Sequence, residues 1–368
     1  MSQQALQGLS VVDVSGSIAT SYCAKLYADY GARVLNVEPQ AGFGTRRLAP
    51  YMPDQIESAM HAYLHTNKLS LRRDHMDPGQ LARLIESADL LLDDGTSDEA
   101  TCGGVRASIS WYGESGPYSE FVGSNAQCFA LNGMLKNIGR VEGPPLIPTG
   151  YQAEIVGGLT AFTGSLAQVL AGEIGNRSTP VHLTTSIFES TLCFTDVGVI
   201  GYYNSGLSAQ RMGINRYPPT YPLGVFPCAD GWIGLTVLTP SQWRSFCRLL
   251  DMPDFADVEM FQSSVGRLEA IDVLEPVIRE RLLNQSAEEL FYRGQTNAIP
   301  LARVPTMEEL FGVDQFVARN AFTKAQLPSG ESLTVPSVPF RLYETPPKFG
   351  GVVAALGEHT KEVSSEIL

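Results

Sequence analysis

The sequence has little positive charge. Its 368 residues include 26 lysines and arginines against 39 aspartates and glutamates, which gives a formal net charge of −13 at pH 7. A surface this acidic repels nucleic acid and anionic membranes, so neither is an expected partner. The charge does not exclude a small anionic ligand, for which a local cluster of basic residues is enough.

Long uninterrupted apolar runs are absent as well. A helix that crosses a bilayer needs about 20 predominantly apolar residues, and no uninterrupted run in this sequence is that long. The first residues show no basic segment followed by an apolar one, so we expect no signal peptide. An apolar content of 44% with 18% charged residues is typical of a soluble globular protein, and we expect a cytoplasmic one.

The six cysteines lack the spacing of a metal site or of a disulfide framework. They are scattered, mostly through apolar segments, at positions 23, 102, 128, 193, 228 and 247. We expect free thiols, as in a reducing compartment, and no bound metal. The glycine fingerprint of dinucleotide-binding folds is also missing, because the turn after the first predicted strand reads Ser15-Gly16-Ser17.

The first third of the chain alternates short β-branched runs with apolar or amphipathic segments. This alternation predicts an open parallel α/β sheet, whose ligands bind beyond the carboxyl ends of the strands. The turn at Ser15–Ser17 is predicted to place backbone N–H groups at the start of a helix, where anions bind. The predicted strands span residues 9–14, 33–37, 68–71, 90–92 and 105–110, and the predicted helices span 18–30 and 78–86.

A proline-dense segment, residues 216–222, divides the chain into two predicted domains. Residues 1–215 form a large domain with further helices at 159–170 and 187–203. Residues 222–315 form a smaller α+β domain with a strand at 231–237 and three helices. The proline-containing tail is predicted to be an extended arm that ends in a short helix from about residue 356.

One carboxylate stands at the entrance to the apolar run 159–170. Glu154 lies within Pro148–Gly158, a segment rich in proline and glycine that is predicted to be a loop leading into a buried helix. A carboxylate in such a place is costly unless it is paired or in use. Glu154 is therefore the candidate catalytic residue.

Several short motifs follow one another along the whole chain. They include ADYGARVLNVEP at 28–39, NKLS at 67–70, SWYGESGPY at 110–118 and GEHT at 357–360. Together they resemble the class III coenzyme A transferase family, which contains formyl-CoA transferases, carnitine CoA-transferases and α-methylacyl-CoA racemases. The resemblance covers essentially the whole chain in the correct order.

The resemblance implies a Rossmann-like large domain with an open parallel sheet, completed by residues 316–368, and a smaller α+β domain. It also implies an interlocked homodimer of two threaded chains. Coenzyme A or acyl-CoA is expected as a substrate, with a small carboxylic acid as its partner and no tightly bound cofactor. The CoA contacts carried over from the family are Ser17, Ile18, Ala19, Asn67, Lys68, Asp94, Ser110 and Tyr112, with Arg46 as a phosphate candidate.

Several positions depart from the family pattern. The position of the family's catalytic aspartate is occupied by Glu154. The G-H-D segment of the racemases reads Gly123-Ser124-Asn125, and their further glutamate corresponds to Thr239. The segment between Asp94 and Val105 is shorter than in the family. The resemblance therefore implies that one of the family's CoA-facing arginines is absent here.

The leading hypothesis is a CoA transferase that works through an acyl-enzyme intermediate on Glu154, because a carboxylate can attack a thioester. We expect Gly157-Gly158 to supply N–H donors to the oxyanion. One alternative is a non-catalytic or degenerate CoA-binding subunit of a heteromeric transferase. A racemase or isomerase is disfavoured, because it needs a second proton-transfer group. His61 and His65 flank the NKLS motif, and a structural role is expected for both.

Overall fold

The computed structural model describes residues 3–53, 56–96, 102–175, 179–206 and 211–367. Contacts between residues divide the chain into two compact units. The first unit comprises Met1–Leu135, Ile147–Ser208 and Asp314–Leu368, and the second comprises Lys136–Leu146 and Ala209–Val313.

A six-stranded sheet forms the centre of the first unit, and every neighbouring pair of its strands is parallel. The predicted open parallel α/β sheet is confirmed. The strands are β1 (Ser10–Asp13), β2 (Arg33–Glu38), β3 (Leu69–Arg72), β4 (Leu90–Asp93), β5 (Val105–Ser110) and β6 (Val181–Ser186). Their order in the sheet is β3-β2-β1-β4-β5-β6, so the strand order reverses between β1 and β4. Ligands of open α/β sheets bind at such a reversal.

Helices of the first unit follow local sequence signals. Pro78 opens one helix as predicted, with Asp77 as its N-cap in a reciprocal capping box with Gln80. The helices are α1 (Ile18–Asp29), α2 (Ala59–His65), α3 (Pro78–Glu86), α4 (Asn125–Leu131), α5 (Gln152–Gly175), α6 (Ile187–Ser190) and α7 (Asp196–Ser205).

The prediction of a single helix over residues 187–203 is wrong. A 3₁₀ segment, Thr191–Thr195, separates α6 from α7. The hydroxyl groups of Ser190 and Thr191 donate to the carbonyl groups of Ser186 and Phe188, respectively. Such local bonds compete with the α-helical ladder and favour a tighter turn.

Helix α5 is longer than predicted. It is long and apolar enough by composition to cross a membrane, although a third of its most apolar window is buried. Its buried face packs on α1, where Gly158 faces the carbonyl oxygen of Ala19, and on α6, where Gly157 faces Ile187. One side of α5 is thus part of the core of the first unit.

The second unit has an antiparallel sheet covered by helices. One fully buried side chain, Arg267, lies among its core residues. The predicted helix over 265–283 is interrupted at Ala270. The strands are β7 (Leu223–Cys228), β8 (Gly231–Thr236) and β9 (Leu301–Arg303), and the helices are α8 (Pro240–Leu249), α9 (Pro253–Ala256), α10 (Ser264–Glu269), α11 (Ile271–Leu283) and α12 (Ala287–Thr296).

The carboxyl-terminal tail is more ordered than the predicted arm. Three strands in it form a small sheet, and its last helix lies beside β3, where the Thr360 hydroxyl accepts a hydrogen bond from the N–H of Arg72. The elements are α13 (Asp314–Ala318), β10 (Phe322–Gln326), β11 (Ser332–Pro336), β12 (Gly351–Val352) and α14 (Thr360–Glu366). The prediction failed here because the alternation of apolar and polar residues in β10 and β11 is short and is interrupted by Ser329-Gly330.

Candidate active site

Glu154 lies in the first turn of α5, not in the loop before it. The helix begins at Gln152, seven residues before the predicted start at 159. A negative side chain in the first turn of a helix interacts favourably with the helix dipole. The residue is 8% exposed, so its carboxylate is largely removed from water.

The side-chain amide of Asn125 holds Glu154 at two points. Its Nδ2 donates a hydrogen bond of 2.7 Å to Oε2 of Glu154, and its Oδ1 accepts one of 3.2 Å from the backbone N–H of Glu154. Asn125 is the first residue of α4, whose N-cap is Ser124. Among the described residues, no donor reaches Oε1 of Glu154.

Burial raises the pKa of the Glu154 carboxyl, and the hydrogen bond from Asn125 opposes that rise. Burial and the nearby charge of Glu154 raise the pKa of the Cys128 thiol to about 11. The pKa of the Tyr112 hydroxyl is raised by burial and by Cys128. Cys128 thus lies within electrostatic reach of both Glu154 and the predicted CoA residue Tyr112.

Gly157 and Gly158 do not supply the predicted N–H donors to an oxyanion, and that expectation is wrong. Both lie inside α5, beyond the first four N–H groups, so their N–H groups belong to the helical hydrogen-bond ladder. Their role is close packing. A Cβ atom on Gly157 would lie 2.8 Å from Cγ1 of Ile187.

The predicted CoA residues Ser17, Ile18 and Ala19 form the start of α1. Ser17 is the N-cap, and its Oγ accepts from the N–H of Thr20 at 3.2 Å. As the first two residues of the helix, Ile18 and Ala19 have N–H groups without intrahelical acceptors. Because Ala19 contacts Gly158, the start of α1 lies about one turn of α5 from Glu154.

Asp94 and Ser110 lie just beyond β4 and at the end of β5. Asp94 accepts a hydrogen bond of 3.2 Å from the hydroxyl of Ser15, which brings the ends of β1 and β4 together. The hydroxyl of Ser110 accepts a hydrogen bond of 3.0 Å from the N–H of Gly113. Both residues are half-buried at the carboxyl edge of the sheet.

Tyr112 follows β5 and packs among aromatic side chains. Its ring centroid lies 5.9 Å from that of Tyr118 in an edge-to-face arrangement and 6.0 Å from that of Phe188. Tyr118 in turn stacks on Phe121 at 4.8 Å. These contacts place an aromatic cluster after β5, and Tyr118 and Phe121 remain 45% and 56% exposed.

Two other predicted CoA residues, Lys68 and Asn67, make internal contacts. Lys68 is 3% exposed and donates to the carbonyl oxygen of Ser21 at 2.8 Å. Burial is the main cause that lowers the pKa of this lysine to about 7. Asn67 donates to the carbonyl oxygen of Gly350 at 2.8 Å, and its backbone has a positive φ of 63°. Both residues thus connect parts of the first unit to one another.

Arg46 forms a two-point ion pair with the buried Glu38. Its Nε and Nη2 each donate at 2.7 Å to a different carboxylate oxygen. Such a pairing is among the stronger charged contacts in proteins. The guanidinium predicted to contact a phosphate is thus already partnered within the chain.

His61 and His65 are buried in one hydrogen-bonded chain with stacked rings. The amide nitrogen of Asn36 can only donate, so Nδ1 of His65 accepts it at 3.0 Å and Nε2 carries the proton. That Nε2 donates to the Thr45 hydroxyl, which donates to Nδ1 of His61. Both rings are neutral in this arrangement, and burial lowers both pKa values well below the ordinary value.

Thr239 and Ser124, which the family resemblance matched to acid–base residues of the racemases, cap helices. The hydroxyl of Thr239 accepts from the N–H of Gln242 in a capping box of α8. Ser124 accepts from the N–H of Gln127 at the start of α4. Neither side chain can serve as a proton-transfer group near neutral pH.

The chain belongs to CoA-transferase family III, whose family model matches residues 6–101 and 104–360. The predicted family is confirmed. The chain is also similar in fold to a CaiB/BaiF family protein from Brucella suis. That crystal structure superposes with a TM-score of 0.85 at 21% identity, and the match covers 100% of each chain.

The similar curated proteins are named for several acids. A succinate–glutarate CoA-transferase of Agrobacterium fabrum is 25% identical, over 98% of this chain and 95% of that protein. The beta subunit of a succinyl-CoA–L-malate CoA-transferase of Chloroflexus aurantiacus is 25% identical, over 99% of this chain and 94% of that protein. An alpha subunit from the same organism is 24% identical, over 100% of this chain and 89% of that protein.

The contact between Asn125 and Glu154 was not predicted from the sequence. The residues are 29 positions apart and belong to different helices. The one available signal was the departure at Gly123–Asn125 from the racemase segment, which marked this position as different without indicating its partner.

Proposed function

We propose that this protein transfers coenzyme A reversibly between an acyl-CoA and a carboxylic acid, with Glu154 as the nucleophile. The observation that carries the proposal is the state of this carboxylate. It is buried at the start of α5, held through one oxygen by Asn125 and free of a hydrogen-bond donor on the other among the described residues.

The reaction runs in two half-reactions. In the first, Oε1 of Glu154 attacks the thioester carbonyl carbon, CoA leaves as a thiolate, and a mixed anhydride forms. The thiolate then attacks the glutamyl carbonyl carbon, which releases the donor acid and leaves a glutamyl-CoA thioester. The acceptor acid repeats these steps in reverse, so no water, oxidant or metal takes part.

The surroundings of Glu154 suit this role. Glu154 is 8% exposed, and burial destabilises its ionised form relative to water and raises its pKa. A weakly solvated carboxylate is a better nucleophile. Glutamate has one more methylene than the aspartate of the family, so its longer reach must match the position of the bound thioester. Asn125 restricts that reach by fixing one end of the carboxylate.

The start of α1 and the ends of β4 and β5 are the proposed CoA-binding region. Its predicted residues are Ser17, Ile18, Ala19, Asp94, Ser110 and Tyr112, which lie along the carboxyl edge of the sheet. We propose that three further residues support this region from within the first unit, because their polar groups contact other parts of that unit. They are Lys68, Asn67 and Arg46. CoA is a substrate in this proposal, and no tightly bound cofactor is required.

Homodimer formation is part of the proposal. On α5, Leu170 and Ile174 are 55% and 79% exposed, and on α7, Ile200 and Tyr203 are 67% and 93% exposed. Large exposed apolar side chains that lie together mark protein interfaces, and these four side chains are the proposed contacts. A second copy of this chain is the proposed partner, in the interlocked arrangement implied by the family resemblance.

A heteromeric role is the second candidate. The relatives from Chloroflexus aurantiacus include alpha and beta subunits of one CoA-transferase, and Glu154 replaces the family's aspartate. In that case the isolated chain binds CoA without exchange, and activity appears only after addition of a related subunit. Racemase activity is disfavoured because Ser124 and Thr239 are helix caps.

The test uses purified protein with succinyl-CoA and labelled succinate, followed by a panel of other acids. We expect label to enter acyl-CoA and hydroxylamine to trap an adduct on the peptide that contains Glu154. Glu154→Gln should abolish both results, whereas Glu189→Gln, at an exposed glutamate of α6, should leave them unchanged. Exchange by Glu154→Gln at the wild-type rate would refute the mechanism, and CoA binding without exchange would favour the heteromeric role.

A further inference from the structure

The orientation of the Asn125 amide is fixed by the protein backbone. A backbone N–H is always a donor, so the atom of Asn125 that faces the N–H of Glu154 must be Oδ1. The other end of the amide, Nδ2, then faces Oε2 of the same residue at 2.7 Å. The two oxygens of the Glu154 carboxylate are therefore not equivalent.

From this asymmetry we infer that Asn125 is a positioning residue that retains Oε2 of Glu154 through every turnover, so that only Oε1 is exchanged with substrate acids. The inference rests on the proposed transferase function and adds to it the fate of each oxygen. It assigns a role to a residue that replaces the aspartate of the racemase segment.

The atoms of the reaction balance under this assignment. Oε1 forms the bond to the donor acyl carbon, and attack of the CoA thiolate on the glutamyl carbon breaks the bond between that carbon and Oε1. Oε1 then departs with the donor acid, while Oε2 remains as the carbonyl oxygen of the glutamyl thioester. In the second half-reaction one oxygen of the acceptor acid bonds to the glutamyl carbon and stays there as the new Oε1.

The hydrogen bond from Asn125 also suits the charge that develops in the reaction. Each attack on the glutamyl carbon turns Oε2 into an oxyanion, and Nδ2 of Asn125 already donates to this atom. Rotation of the carboxylate would exchange the two oxygens but would break a charge-assisted bond in a largely buried place. The hydrogen bond from the backbone N–H of Glu154 to Oδ1 of Asn125 keeps the Asn125 amide from turning with the carboxylate.

An oxygen-labelling experiment tests the inference. Wild-type protein turns over succinyl-CoA and an excess of succinate labelled with ¹⁸O in both carboxylates, and the peptide that contains Glu154 is then analysed by mass spectrometry. We expect the peptide to gain one heavy oxygen and no more after many turnovers. A gain of two heavy oxygens would overturn the inference and leave the acyl-enzyme mechanism intact. No gain during turnover would refute both the inference and the role of Glu154 as the nucleophile.

Asn125→Ala provides the second arm, because alanine is tolerated at the first position of a helix. We expect kcat to fall about a hundredfold, as for the loss of one oxyanion donor, and the slower variant to exchange both oxygens. The acid limb of the pH–rate profile should move to higher pH, because the bond that opposes the rise in the Glu154 pKa is lost.

Asn132→Ala is the matched control. It removes an asparagine from the other end of α4, where the side chain bonds Thr191 and does not contact Glu154. We expect this variant to lose stability but to keep one exchangeable oxygen and the wild-type pH profile. Single-oxygen exchange by Asn125→Ala, or double exchange by Asn132→Ala, would overturn the role of Asn125.

Discussion

Gly158 faces the carbonyl oxygen of Ala19 so closely that a Cβ atom built on Gly158 would lie 2.5 Å from that oxygen. This contact joins the two helices that carry the candidate nucleophile and the predicted CoA turn. It also makes the distance between α1 and α5 depend on the absence of a single methyl group.

Gly158→Ala should therefore separate α1 from α5 and displace Glu154. We expect a loss of about 1–3 kcal/mol in the free energy of unfolding, because the added methyl group is overpacked against backbone. A shift near 1 Å at the nucleophile is expected to cost roughly a hundredfold in activity. Urea unfolding and CoA exchange measure the two effects. Gly175→Ala, at a position with open space in the same helix, should change neither.

Glu154→Gln should make the protein more stable at neutral pH. The pKa of Glu154 is raised in the fold, so the native state binds the proton more tightly than the unfolded chain. Stability then falls as the pH rises from the ordinary carboxyl value of about 4.3 to the raised value. Glutamine avoids this loss, and its advantage in urea unfolding should vanish below pH 4. An equal advantage at all pH values would contradict the burial argument.

Acid should weaken the fold through His61 and His65. Both pKa values are lowered by burial, so below about pH 6.5 the unfolded state takes up protons that the native state excludes. We expect a loss approaching 1.4 kcal/mol per pH unit for each histidine in this range. His61→Gln should flatten the pH dependence of unfolding. His75→Gln, at an exposed histidine, should leave it unchanged.

Arg267→Met should destabilise the second unit. The guanidinium is fully buried and donates to the carbonyl oxygens of Tyr221, Phe261 and Val237, among others. Methionine fills much of the space but leaves these acceptors unpaired, and we expect a cost of roughly 3–5 kcal/mol. Thermal unfolding measures it, with Arg281→Met on the exposed side of α11 as the control. Equal melting temperatures for the two variants would refute the role of Arg267.

A charge on the exposed face of α7 should prevent dimer formation. Ile200→Asp places a carboxylate on an apolar side chain that is 67% exposed, and a second chain packed there would have to bury it. We expect light scattering to show a dimer for wild type and a monomer for the variant. Val273→Asp, at a similarly exposed residue of α11, should remain dimeric. A wild-type monomer would disprove the proposed assembly.

The parts of the fold that were predicted correctly depend on local signals. Helix α3 begins at Pro78 because Asp77 caps it, and the strands β1 to β5 are apolar runs between turn residues. Periodicity and capping are properties of a few neighbouring residues, and they are visible in the sequence.

The parts that were missed depend on contacts between distant residues. Gly157 and Gly158 look like loop residues, and only their close approach to Ile187 and Ala19 explains why they lie inside α5. The sequence could not predict the contact between Asn125 and Glu154, since they lie 29 positions apart in different helices and no periodicity relates them. Lys68 was predicted to contact CoA, but it is buried and its ammonium group donates to the carbonyl oxygen of Ser21, a contact between residues 47 positions apart.

The return of the tail to β3 has a consequence for synthesis on the ribosome. His359 and Thr360 bond to Ser70 and Arg72, on a strand made long before them. The edge of the first sheet stays uncovered while the whole second unit is translated. Final closure of the first unit must therefore follow the emergence of the last helix from the exit tunnel, and the nascent chain has an unprotected strand edge until then.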